Sequence, residues 1–311
     1  MFIEKRKRGR VTKYYAVHSF REGKHLIKIR KYLGQNLSPI EVYEREKKAW
    51  TAIQEQLRQY REIRDPLKYV LSPRELKQLE TLEARGVFKV IHLSEDQWRR
   101  FSELFSYNTN AIEGSTLTLR EVVSVIERKK KPQKPVEDIA ETQGVVEAIN
   151  YIRKTKNELS RNLIAELHKI VFKRTKSFAG QFRPLGIEVV IRDGAGNIAH
   201  RGAPSNQVKT LLQELVAWYT KNKKRYSGIL LAAVVHNQFE NIHPFQDGNG
   251  RVGRLLMNFI LLKNKLPPVN IELSRRQQYY EALQEYQRYG NIRPMIELML
   301  KEYKQLKKQL R

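Results

Sequence analysis

"HPFQDGNGRVGR" occupies residues 243–254, between the apolar runs "SGILLAAVVHNQFENI" and "LLMNFILLKN". Runs that are apolar nearly all round are buried helices, so this stretch reads as a loop at the centre of a helical domain, with a new helix beginning near Arg251. A helix start presents unpaired N–H groups and a partial positive charge. Gly248 and Gly250, either side of Asn249, allow close backbone approach and a concave anion nest. Arg251 and Arg254 lie at i and i+3 and face the same side, as a clamp for a polyphosphate would require. Asp247 directly before the nest is placed to hold Mg²⁺ beside phosphates. His243 at the mouth has the ordinary pKa best suited to removing a proton near neutrality. Together these residues call for transfer of a phosphorus-containing group to a hydroxyl.

Other readings of the stretch explain less. "GNGRVG" satisfies the dinucleotide fingerprint, and Glu272 falls about twenty residues on, but a strand must run into the first glycine and "NIHPFQD" stands there instead. His236, Glu240 and His243 could hint at zinc, yet they do not form H-E-x-x-H, and His236 is expected to pack between helices. No phosphate-loop G-x-x-x-x-G-K-[ST] occurs. A plain glycine-rich turn would leave the histidine, aspartate and paired arginines unexplained.

The 311 residues can bury a full core, and no run of eighteen apolar residues is present to span a membrane. "MFIEKRKRGR" lacks the apolar segment of a signal peptide. Absence of cysteine removes disulfides, thiolate metal sites and cysteine nucleophiles, and fits a cytoplasmic location. The net charge of +26 is concentrated at the start: residues 1–40 hold eleven Lys/Arg against Glu4 and Glu22. Such a segment attracts nucleic acid or acidic partners, a solvated surface being the plain alternative.

Alternation in "KYYAVHSF" and "HLIKIRKYLG", joined at Gly23, predicts a basic β-hairpin over residues 1–36, which must pack on something to be stable. Ser38, Pro39 and Glu41 then open a helix as a capping box. From about residue 70 nearly everything has helical period, including a helix that closes at Gly86 and another over about 100–114. One stretch, "GIEVVIRDGAGNIAHRGAPS", is a β-hairpin set among helices. The chain is thus mainly α: a basic hairpin (1–36), a helical region (37–100) and a helical domain (101–311) with an inserted hairpin at about 187–199.

"HPFQDGNGRVGR" matches, position for position, the signature H-x-F-x-[DE]-G-N-G-R-x-x-R, and the chain therefore resembles Fic (Fic/Doc) proteins. "AGQFR", "LVAWY" and "YYEALQEYQRYGNIRPMIELML" extend the resemblance over roughly residues 100–303. It implies a Fic-type helical domain that moves AMP from ATP to a Ser, Thr or Tyr hydroxyl of a protein. By the resemblance His243 is the general base and Asp247 the ligand of Mg²⁺, with Mn²⁺ as a substitute. Gly248, Asn249 and Gly250 form the anion hole, Asn249 and Arg251 contact phosphates, and Arg254 holds the γ-phosphate. Phe245 anchors the loop, and the hairpin at 187–199 is a flap that aligns the target segment. Gly250 stands where the kinase-like branch carries lysine, which favours AMP transfer.

"TNAIEG", residues 109–114, resembles the family's inhibitory pattern [ST]-x-x-x-E-[GN]. It implies that Glu113 occupies Arg254 and obstructs the γ-phosphate, since one guanidinium cannot serve two anions. The plain alternative is an acid in a last helical turn before Gly114, a position the helix dipole disfavours. The resemblance leaves open removal rather than addition of AMP, another nucleotide donor and a homodimer. From another class, the chain could be a regulator binding through its basic residues 1–36.

Overall fold

The protein was analysed as a computed structural model, which describes residues 1–22, 25–63, 66–67, 71–84, 93–129, 132–192, 196 and 198–310. The chain divides into two compact units, 1–64 and 65–311. The expected turn at Gly23 and helix end at Gly86 lie outside the described residues.

The first unit is an antiparallel sheet of β1 (Phe2–Arg8), β2 (Val11–Glu22) and β3 (His25–Gln35), with β2 central, followed by α1 (Pro39–Ile63). The alternation predicts two strands, and the structure has three. β1 escapes the pattern because Ile3 is the one apolar residue it adds to the core. Its lysines and arginines suit an edge strand instead. Ile3, Ala16, Ile29 and Leu33 on the sheet meet Ala49, Ile53 and Leu57 on α1. The partner required by the sheet is therefore α1, and the compact unit that holds both runs to residue 64. At the start of α1 the Ser38 N–H donates to Glu41 Oε2 at 2.9 Å and the Glu41 N–H to Ser38 Oγ at 3.3 Å.

The second unit is mainly helical: α2 (Pro73–Ala84), α3 (Glu95–Ile112), α4 (Leu119–Ile126), α5 (Val136–Lys154), α6 (Arg161–Phe172), α7 (Val208–Asn222), α8 (Gly228–Ile242), α9 (Asn249–Lys263), α10 (Arg276–Tyr289) and α11 (Arg293–Gln309). The short α4 has no counterpart in the expectation above; Thr118 and Glu121 cap it reciprocally. A hairpin of β4 (Val190–Arg192) and β5 (Ile198–Arg201) stands between α6 and α7, with Val190 opposite Arg201. Of its expected turn, "DGAGN", Gly196 alone is described. Every residue of α8 is buried, and α9 returns against it. Around this pair pack α3, α5, α6, α7, α10 and α11. Among the described residues no helix is long and apolar enough to cross a membrane.

α5 and α6 approach so closely at Gly144 that a Cβ there would lie 2.2 Å from the Val171 carbonyl oxygen. Backbone cannot yield as a flexible side chain does, so this contact sets the spacing of two helices that deliver side chains to the 243–254 loop. Gly144→Ala should lower stability by about 2 kcal/mol through overpacking. Urea unfolding measures it, and an unchanged midpoint would mean the helices part without cost.

Candidate active site

α8 stops at His243, whose backbone takes φ 51° and ψ 62°, a left-handed conformation uncommon outside glycine. Such strain persists where neighbours over-determine it, and here the neighbour is Arg183. Its N–H donates to the Pro244 carbonyl at 2.9 Å, and its Nε to the His243 carbonyl at 2.8 Å. The same buried guanidinium donates to the carbonyls of Ile187 and Ala203, which bracket the hairpin. One side chain thus ties the loop to both ends of the hairpin.

The His243 Nδ1 lies 3.2 Å from the Glu240 carbonyl oxygen. A carbonyl only accepts, so Nδ1 carries the proton and Nε2 keeps its lone pair. Burial lowers the His243 pKa to about 4, and the ring is neutral at physiological pH. Burial also pushes the Glu240 carboxyl up to about 8, keeping it protonated. Gly253 makes room for that carboxyl: a Cβ at 253 would sit 2.1 Å from Glu240 Oε1.

Phe245 is fully buried and stacks on His168 of α6, centroids 3.9 Å apart. The Gly180 N–H donates to His168 Nδ1 at 2.8 Å, so the proton is on Nε2, which donates to the Asp247 carbonyl at 3.1 Å. Asn249 uses both ends of its side chain on Phe245, accepting from its N–H at 2.9 Å and donating to its carbonyl at 3.0 Å. The second Nδ2 N–H and the backbone N–H of Asn249 are left for the phosphate contact that the resemblance implies. Gly248 has φ 80° at the start of α9, and a Cβ there would strike the Phe172 ring at 2.3 Å.

The charged groups are already partnered. Lys176 Nζ reaches Asp247 Oδ2 at 2.7 Å and Glu141 Oε1 at 3.3 Å. Burial alone would raise the Asp247 carboxyl, but the bond to Lys176 and its charge hold it below the ordinary value. Arg251 pairs with Glu141 of α5 and lies over the Phe172 ring. Arg254, 1% exposed, donates through Nε to Thr109 Oγ1 at 2.8 Å and through Nη2 to the Thr109 carbonyl at 3.0 Å and Glu113 Oε1 at 2.7 Å. Its Nη1 donates to Tyr279 Oη at 3.3 Å. The two arginines therefore answer to different carboxylates instead of forming one open clamp. The Glu113 carboxylate also lies against bare backbone, since a Cβ on Gly250 would be 2.3 Å from its Oε1.

Among the described residues no group of three or more His, Cys, Asp or Glu could hold a metal by itself. His236 is spent on Tyr279 Oη at 3.1 Å, between α8 and α10. A single hard carboxylate beside an anion nest still fits Mg²⁺, which takes one or two protein oxygens and completes its shell with water and phosphate. The occupation of Asp247 by an ammonium shows that its oxygen is disposed to hold a cation. The residues named from sequence, His243, Asp247, Gly248, Asn249, Gly250, Arg251, Arg254 and Glu113, thus converge on one loop and its surroundings. Glu141, Lys176, Arg183, His168 and Tyr279 were not singled out. Arg183, inside "AGQFR", Tyr279, opening "YYEALQEYQRYGNIRPMIELML", and Thr109, opening "TNAIEG", lay within stretches that drew notice.

Residues 158–261 match the model of the Fic/DOC family. A similar curated protein is protein adenylyltransferase Fic of Nematostella vectensis, 34% identical over 197 residues, covering 61% of this chain and 44% of that protein. Protein adenylyltransferase Fic of Drosophila ananassae is 31% identical over 233 residues, covering 71% of this chain and 45% of that one. The chain spans less than half the length of either. Among solved structures, a Fic domain containing signaling protein from Bacteroides thetaiotaomicron shares the fold at a TM-score of 0.64 and 22% identity, over 76% of this chain and 95% of that one. The fully buried loop anchor, the glycine-lined helix start and the matched residues agree: this chain carries a Fic/DOC domain over residues 158–261.

Proposed function

We propose that the chain is a protein adenylyltransferase, moving AMP from ATP to a Ser, Thr or Tyr hydroxyl of a target protein. The observation that carries this reading is the neutral His243 at one end of a loop whose other end is the open start of α9. His243 Nε2 takes the hydroxyl proton as the hydroxyl oxygen bonds to the α-phosphorus. The bond from that phosphorus to the bridging oxygen breaks, and pyrophosphate leaves with the electron pair. The N–H groups at the start of α9 and the Arg251 guanidinium receive phosphate oxygens. Mg²⁺, held by Asp247, would neutralise phosphate charge and orient the leaving group. For this Lys176 must give up Asp247, and Glu141 must share or release Arg251.

Glu113 acts as an internal brake in this reading. It takes the Arg254 face that a γ-phosphate would use and lies against Gly250 in the anion nest. Support for a docking role of the flap comes from its exposed apolar side chains, Leu185, Ile187, Ile191 and Ile198. A short hairpin with an open edge can accept a target segment as an added strand, which would lead the acceptor hydroxyl towards His243.

Three outcomes test the proposal with labelled ATP and Mg²⁺. His243→Ala should abolish transfer to protein while nucleotide binding, read by calorimetry, changes little; retained transfer would remove the base. Because burial depresses the His243 pKa to about 4, the neutral form persists as pH falls. The acid limb of the rate profile should therefore lie well below the ordinary value of about 6.5. A limb at that value would mean the ring titrates as if in water.

The third outcome is a gain. A hydrogen bond to a charged partner contributes about 1.5–3 kcal/mol. At about 1.4 kcal/mol per factor of ten, Glu113→Gly should raise AMP transfer roughly ten- to a hundredfold, most visibly as self-modification. Adding Arg254→Ala should reverse the gain. No increase in the single variant would sink the brake.

A further inference from the structure

α6 ends at Phe172, and the chain folds straight back on it: the N–H groups of Thr175 and Lys176 both donate to the Phe172 carbonyl at 2.9 Å. That tight turn brings two side chains to one carboxylate. Thr175 Oγ1 donates to Glu141 Oε1 at 3.0 Å, and Lys176 Nζ lies 3.3 Å from the same oxygen. The other Glu141 oxygen holds Arg251. Lys176 also reaches Asp247 Oδ2, at 2.7 Å. Both cations lie over the Phe172 ring, the same ring that a Cβ on Gly248 would strike.

Asp247 has two oxygens, and each is committed. Oδ1 accepts the Gly248 N–H at 2.7 Å, a contact made within the turn itself. Oδ2 is therefore the oxygen left for a ligand, and an ammonium occupies it. Stability does not account for this pair. Asp247 is 52% exposed, and an ion pair open to water contributes little to folding. Such a pair is also parted at little cost. The four charges of the cluster cancel, with Asp247 and Glu141 set against Lys176 and Arg251. Without the ammonium, two carboxylates would face one guanidinium where phosphate has to arrive, and a phosphate coming without a metal would be repelled.

We propose that Lys176 is a resident substitute for the divalent cation. Its ammonium occupies the Asp247 oxygen that a metal would use and keeps the nest attractive to phosphate while no metal is bound. It yields that oxygen when a divalent cation arrives. On release the ammonium keeps Glu141, its second partner, so that carboxylate stays neutralised and Arg251 is freer to turn to phosphate. Lys176 is thus a positioning residue for the nucleotide and a competitor for the metal. This role rests on the adenylyltransferase reading for Asp247 as the metal ligand. It is tested by binding, and that reading by label transfer, so either can fail alone.

Mn²⁺ is titrated into the nucleotide-free full chain, with the free ion measured by electron paramagnetic resonance. ADP, which lacks the γ-phosphate that Glu113 would oppose, is titrated separately by calorimetry in excess EDTA. Removing one unit charge beside Asp247 should shift each affinity by about tenfold, in opposite directions. Lys176→Met should bind Mn²⁺ more tightly and ADP in EDTA more weakly, whereas a damaged fold would weaken both. Lys176→Arg keeps the charge and should hold ADP in EDTA nearly as the wild type does. Lys173→Met removes a neighbouring cation that pairs with Glu147 instead, and should move neither affinity. Unchanged affinity for either ligand in Lys176→Met, no ADP binding by the wild type in EDTA, or equal shifts in Lys173→Met would overturn the proposal. If the melting temperature of Lys176→Met falls, Lys176→Gln, polar but uncharged, must give the same two shifts for the proposal to stand.

Discussion

Arg254 is the largest of the fully buried side chains, and a buried guanidinium must be surrounded by acceptors or the fold fails. Its donors reach Thr109 and Glu113 at the end of α3 and Tyr279 on α10, and Tyr279 in turn meets His236 on α8. Three helices distant in sequence are drawn to one group on α9. The first two turns of α9 are therefore both the helical core and the floor of the candidate active site. A carboxylate at Glu113 helps satisfy this buried charge, and a phosphate in its place would satisfy it equally. In the proposed mechanism, exchange between the two anions would switch the site without leaving the cation bare.

A second constraint is the shape of the loop. Phe245 inserts between His168, Phe182 and Phe239, and Asn249 closes the loop upon it. These contacts fix the backbone of Asp247 and present the start of α9 with its N–H groups unhindered by side chains at 248 and 250. Arg183 does the same for His243 from outside the loop. Its hydrogen bonds run to carbonyl oxygens at the ends of the hairpin and at the strained turn, and its Nη1 lies 3.6 Å from Glu188 Oε2. The hairpin and His243 are consequently one mechanical piece.

Charge compensation is the third constraint. In the second unit the cations of the candidate site each have an internal carboxylate: Arg251 and Lys176 share Glu141, and Arg254 has Glu113. In the first unit Arg6 and Arg30 likewise share Glu4. Cations neutralised in place suit a ligand that must displace a counter-ion.

How much of this could be read from the chain alone follows from the range of each interaction. The loop 243–254 was legible because its chemistry is local: glycine, helix start, imidazole and arginines lie within one turn of one another. The helix limit at Ser38 before α1 was legible for the same reason, since a cap needs residues only three apart. β1 was not, because its stability comes from backbone pairing with β2 rather than from any apolar alternation of its own. Glu141, Lys176 and His168 were not, because nothing near them in sequence distinguishes them from ordinary helical residues. Helix packing across Gly144 brings them to the loop. Asn249 shows the boundary most plainly: sequence places it in the anion nest, and tertiary structure decides that its side chain turns inward to hold Phe245. Sequence determined which chemical groups are present and which neighbours share a turn. Burial and long-range contacts determined which of them are neutral, which are paired and which remain open to a ligand.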